Sequence, residues 1–248
     1  MMAKSNLSNF KITIMKKISF SFLFLLMASV LMAQYPVLDE SVTPYDTLRP
    51  ETGPNGKHFF NSFVGWHFAI PYDATDAAPV KPFSSSGLRV GWMWKHRISN
   101  FLSFGYLLDF NTYGFSYSQS EEKTFPDSLV HESQSIGLTA IGTGLYLRFN
   151  FDTKRGNFIG HYLDAGAYAD WIPGRTLATK DEIDFDQIQR SRISRLHYVE
   201  KYQYGLYAAI GLNKFTIFGR YRISDVIKAP YQSAELPRLS VGIGLCLF

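Results

Sequence analysis

The sequence predicts an all-β chain, an eight-stranded antiparallel transmembrane β-barrel of up-and-down topology. Three observations carry this expectation. Period-two alternation recurs from residue 59 onward with no long helical stripe. The charged residues fall on the face opposite the long apolar side chains, the reverse of a soluble sheet protein. The connections alternate long and short, as extracellular loops and periplasmic turns do. A chain that is 46% hydrophobic and 19% charged is not wholly disordered, and one cysteine is no disulfide scaffold.

The elements follow in chain order. Lys16 and Lys17 precede an apolar run, 18–33, that ends Val30-Leu31-Met32-Ala33. A basic region, an apolar run and a small residue make 1–33 a signal peptide, with Met15 as an alternative start and Gln34 as the new N-terminus. Because position 34 is not cysteine, the pattern is not that of a lipoprotein anchor. The net charge of +4 belongs to this leader: taking its four lysines from the 25 basic residues leaves 21 against 21 acidic. Residues 34–58 hold Pro36, Pro44, Pro50 and Pro54 and read as an extended periplasmic lead-in, either a plug or a tail.

The barrel then occupies 59–248, with strands expected at about 59–70, 84–95, 101–113, 134–150, 158–171, 199–212, 214–225 and 237–248. The second is the clearest. Leu88, Val90, Trp92 and Trp94 share one face, Arg89, Gly91, Met93 and Lys95 the other, because successive strand residues point to opposite sides. Links 71–83, 114–133, 172–198 and 226–236 are long, whereas 96–100, 151–157 and the point around Asn213 are short. Phe248 ends the chain on an aromatic, out of phase with the apolar alternation Leu239 to Leu247. The aromatics clustered near strand ends, among them Trp66, Trp92, Trp94 and Trp171, resemble interfacial girdles; ordinary packing in a secreted β-sandwich is the alternative.

A lumen charge network is expected from Arg89, Asp109, Arg148, Asp164, Asp170, Lys201, Arg220, Arg222 and Arg238, together with Lys95. Burying an unpaired charge is costly, so these groups pair across neighbouring strands or meet lumen water. Glycines on the same face, such as Gly91, Gly105 and Gly142, leave room for arginine and tyrosine side chains. The expected lumen is therefore packed and polar, which argues against a diffusion porin.

Other candidates are weaker. His131 lies near Asp127, Ser128 and Ser133, the residue types of acyl transfer or ester hydrolysis. Asp181, Glu182, Asp184 and Asp186 could offer oxygen ligands to calcium but lack EF-hand spacing; a solvated loop or a short helix is the alternative. Arg190, Arg192 and Arg195 would meet lipopolysaccharide phosphates or pair with the preceding acids. The six histidines are scattered, Cys246 faces the lumen as an inert thiol, and no nucleotide, zinc or nucleic-acid motif is present.

The strands, the arginine-lined lumen, Leu145-Tyr-Leu-Arg-Phe-Asn150 and Tyr162-Leu-Asp-Ala-Gly-Ala-Tyr168 resemble the small outer-membrane β-barrel family of Bacteroidota that includes the PorT-like proteins. The resemblance spans nearly all of 59–248 and includes no catalytic motif. It implies a protein of the cell outer membrane, without cofactor, that serves as a structural or accessory subunit of a cell-envelope assembly, such as one for secretion. The partners expected are membrane lipids, lipopolysaccharide and envelope proteins, and no nucleic acid. The second reading is an enzyme that modifies lipid A or phospholipid.

Overall fold

The structure, a computed structural model, describes residues 52–72, 79–120, 123–153, 156–184, 187–229, 231 and 234–247. The leader 1–33, most of the lead-in 34–58, Asp186 and Phe248 lie outside the described residues. All described residues belong to one unit, Arg49–Phe248.

Among the described residues nine strands form one antiparallel sheet: β1 His58–Ile70, β2 Ser86–Arg97, β3 Leu102–Ser116, β4 Ser133–Asn150, β5 His161–Asp184, β6 Gln187–Ser194, β7 Tyr202–Leu212, β8 Phe215–Arg222 and β9 Leu239–Leu247. Their order is β4-β3-β2-β1-β9-β8-β7-β5-β6, with a further pairing between β4 and β5. Among the described residues no helix is long and apolar enough to cross a membrane.

This arrangement corrects the eight-stranded, closed, up-and-down transmembrane barrel. The sheet does not close evenly, because β5 is a fork. Its first part, from His161 to Trp171, pairs with β7. Its later part, from Thr176 to Asp184, pairs with β6 instead, while β4 runs along its other edge from Tyr162 to Lys180. Among the described residues strand β6 has β5 as its one neighbour and ends the sheet. The functional picture built on an even barrel wall, a non-enzymatic accessory subunit of an envelope assembly with a polar lumen, loses its architectural basis in the same step.

The alternation read from sequence does set the faces. In β2 the residues alternate between buried and more exposed, with Arg89, Gly91, Met93 and Lys95 inside and Leu88, Val90 and Trp92 outside. The outer face is largely apolar along the middle of the sheet, where Trp66, Leu145, Leu206 and Ile243 are each more than half exposed. The inner face packs large side chains against glycines. A Cβ at Gly211 would lie 2.0 Å from the Tyr162 ring, and one at Gly105 would lie 2.2 Å from Tyr146. These glycines are there for close approach rather than for backbone freedom.

The interior is not uniformly polar. Residues of the upper strand ends and of the loops, among them Val80, Phe115, Ile136, Ile172, Val199, Ile227 and Leu236, form one buried apolar cluster. At the opposite end, residues 52–57 fold against β1 and β2. The Lys95 ammonium donates to the Pro54 carbonyl, and Arg97 Nη1 donates to the Asn55 carbonyl at 2.6 Å. Pro54 and Gly56 are buried there.

Candidate functional site

Between these two ends lie three buried arginine–carboxylate pairs, each built across neighbouring or facing strands. Arg89 of β2 donates through Nε to Asp109 of β3 at 2.6 Å, and Asn111 Nδ2 donates to the other Asp109 oxygen at 2.9 Å. Arg148 of β4 meets Asp164 of β5 in a bidentate pair, Nε and Nη2 each at 2.7 Å. Arg220 of β8 donates through Nη2 to both oxygens of Asp170 of β5, at 2.9 and 3.0 Å. Tyr113 and Gln203 complete the coordination of Asp170, at 2.9 and 2.7 Å.

Aromatic rings enclose the guanidinium groups. Arg148 lies 3.6 Å from the Tyr162 centroid and Arg220 lies 3.6 Å from that of Tyr168. Arg89 is set among Phe63, Tyr207 and Phe218, at 4.7 to 5.5 Å. A planar cation stacked on ring faces and forked onto a carboxylate is the geometry arginine offers and lysine does not.

Asp109 and Asp170 converge on one point. A Cβ at Gly142 would lie 2.2 Å from Asp109 Oδ1 and 2.4 Å from Asp170 Oδ1. Glycine there lets two carboxylates approach the same stretch of β4 while Arg89 and Arg220 balance their charge. Gly142→Ala will therefore push apart two buried ion pairs and cost about 1–3 kcal/mol, the range for overpacking. Denaturant unfolding of the detergent-solubilised protein measures this, with Gly137→Ala, at a roomier point of the same strand, as the milder control.

Three residues of the expected network behave differently from this core. Arg222 is buried and tied upward: it donates to Glu235 at 2.5 Å, to the Leu236 carbonyl at 2.6 Å and to the Ser224 carbonyl at 2.7 Å. Glu235 in turn accepts the Val226 and Ile227 amides, so the pair shapes the loop before β9. Arg238 is half-buried at the rim, pairs with Asp225 and donates to the Ile223 carbonyl at 2.7 Å. Lys201 is exposed at the bend before β7 and stands outside the network, because alternation loses its meaning where the strand has not yet begun.

Two cavities border the pairs, one beside His67 and Tyr113 and one beside Arg89 and Tyr207, each of about 20 Å³. That is the size of a single water, well short of a small-molecule site. Among the described residues no cluster of histidine, cysteine, aspartate and glutamate could hold a metal ion. The arrangement ties β2 to β3, β4 to β5 and β5 to β8 through buried charge pairs.

The loops carry a second polar cluster that alternation could not reveal. Lys123 is buried and donates to Gln134 Oε1 at 2.6 Å, the Leu129 carbonyl at 2.7 Å, Gln119 Oε1 at 3.0 Å and Asp127 Oδ1 at 3.4 Å. His131 is held between two carboxylates, with Nδ1 2.8 Å from Asp181 and Nε2 3.3 Å from Asp127. Both ring nitrogens are thereby engaged, and neither is left for Ser128 or Ser133. Tyr198 packs edge-on against Phe125 at 5.2 Å, and burial, reinforced by the Asp127 carboxylate, pushes its hydroxyl up to about 12. A loop lysine with four acceptors within 11 residues leaves no periodic trace.

The described part of the acidic run and the arginines after it form strands rather than a helix. Asp181 and Glu182 lie on β5, and Arg190 and Arg192 lie on β6, in a hairpin where Lys180 faces Arg190 and Ala178 faces Arg192. Arg195 lies just past the end of β6.

No family model matches the chain, and no curated protein does. Among solved structures it is similar to Ail, the attachment invasion locus protein of Yersinia pestis, crystallised with the heparin analogue sucrose octasulfate. The identity is 11% and the TM-score 0.30, over 75% of this chain and 94% of that one. At that identity and score the likeness assigns no family, and the resemblance to the PorT-like group finds no support in it.

Proposed function

We propose that the protein resides in the cell outer membrane, where the apolar outer face of its sheet contacts lipid, and that it works there without catalysis. In this reading the loops and the β5–β6 hairpin form the surface that meets lipopolysaccharide and envelope proteins. The observation that carries the proposal is the inverted polarity. Arg89, Arg148, Arg220 and their carboxylates are buried, while Trp66, Leu145, Leu206 and Ile243 are over half exposed. Soluble monomers rarely leave an apolar surface of that extent in water, and such surfaces mark contact with a membrane or a partner. The basic-then-apolar leader supports export.

Tryptophan fluorescence of the full chain, refolded into phosphatidylcholine vesicles with and without brominated acyl chains, tests the proposal. Trp66, Trp92 and Trp171 lie on the outer face at about half exposure, so bromine will quench most of the emission. A protein that stays in the aqueous phase as a stable monomer, unquenched, overturns it.

A further inference from the structure

Strands β4, β5 and the otherwise unpartnered β6 place a polar surface on the outer side of the sheet. In the register of the two pairings Ser133, Lys180 and Arg190 stand opposite one another across the three strands. Ser135, Ala178 and Arg192 form the next row. Directly opposed residues point to the same side of a sheet, so two hydroxyls and three cations share one face around a small residue. These side chains line a cleft of about 260 Å³. Lys180 is paired with Glu132, whereas Arg190 and Arg192 are exposed and make no ion pair among the described residues.

The position of this face matters as much as its charge. It continues the side of the sheet that carries Ile141 and Trp171, past the last large apolar side chains that β4 and β5 turn outward, with Ile188 of β6 farther along the same side opposite Glu182. Ser135 is six residues past Ile141 on β4, about 20 Å of strand at roughly 3.3 Å per residue, and less along the normal of a tilted sheet. On the lipid-facing reading above, the cations stand beyond the apolar belt, at the depth of a bulky sugar headgroup. Arginine forks match phosphate oxygens, and serine hydroxyls complete such a site.

We propose that Arg190 and Arg192, with Lys180, Ser133 and Ser135, bind a phosphate group on the headgroup of a phosphorylated glycolipid. The inference rests on the lipid-facing reading above and gives its lipopolysaccharide contact a site. Two variants probe it without touching the fold. Arg190→Gln with Arg192→Gln removes both unpaired cations; Glu132→Gln frees Lys180.

The experiment compares binding of lipid A, of the same lipid A after enzymatic dephosphorylation and of inorganic phosphate to the full chain in neutral detergent, by native mass spectrometry. The wild type will bind the phosphorylated lipid at least tenfold more tightly than the dephosphorylated one. The double arginine variant will lose about 25-fold, from roughly a factor of five per surface cation, and Glu132→Gln will gain up to about fivefold on the same scale. Equal binding of the two lipids, or a double variant that binds like the wild type, overturns the phosphate site while leaving the lipid-facing reading intact. Inorganic phosphate that competes at the lipid's own concentration overturns the assignment to a lipid headgroup. A chain that binds neither lipid and is also unquenched in brominated vesicles overturns both.

Discussion

Asp170→Ala will destabilise the protein by about 3–5 kcal/mol, the cost of breaking a buried ion pair from one side. Asp170 is 2% exposed and accepts from Arg220, Tyr113 and Gln203. Removing the carboxylate strands a guanidinium that is itself 2% exposed, stacked on Tyr168 and unable to reach water. The charge, and not the lost contact, is the larger part of the penalty. Asp170→Ala combined with Arg220→Met will therefore recover most of the loss, since replacing both partners of a buried pair by apolar groups is often neutral. Chemical denaturation of the detergent-solubilised chain and its three variants, arranged as a double-mutant cycle, gives both numbers. A single variant as stable as the wild type would mean that Arg220 escapes to solvent and that the interior is not sealed.

How far the fold was legible depends on whether a residue's two faces meet different surroundings. In β2, β3 and β7 they do: Tyr204, Leu206 and Ile210 face out, while Gln203, Gly205 and Tyr207 face in. There the alternation assigns the side chains to their faces, and it puts Arg89 and Asp109 on the inner face of adjacent strands, where they pair diagonally across β2 and β3. The signal fails at the bulge of β5. The register slips between the pairs Thr139–Gly174 and Ile141–Trp171, around Pro173, so the inward phase changes and the alternation read from sequence stops at Trp171. Beyond it, Arg190, Ser191, Arg192, Ile193 and Ser194 are all exposed. A hairpin wetted on both sides carries no periodicity, so its residues read as a loop, and the ninth strand that upsets even closure went with them. The loop core around Lys123 was hidden for another reason, since its order comes from hydrogen bonds between side chains and carbonyls rather than from a repeating face.

The outer face offers a test that separates lipid from water by sign as well as by size. Leu145 is 57% exposed in the middle of β4, with Tyr106 and Ala167 as its cross-strand neighbours. In an aqueous protein, Leu145→Arg at such a position changes stability by no more than about 0.5 kcal/mol, because the guanidinium is solvated and no packing is lost. Against acyl chains the same substitution costs about 2–4 kcal/mol, as arginine does near the midplane on the lipid-facing side of a membrane sheet. The expected outcome is the larger loss for the chain refolded in phosphatidylcholine vesicles, measured by denaturant titration. Ser135→Arg is the internal comparison. It lies on the same side of β4 but beyond the apolar residues, next to Arg192 across Ala178. There the added charge meets headgroups rather than hydrocarbon, so the loss will be well under half that at Leu145. Equal small effects at both positions would place the whole outer face in water and remove the physical basis for lipid contact, whatever the interior pairs do.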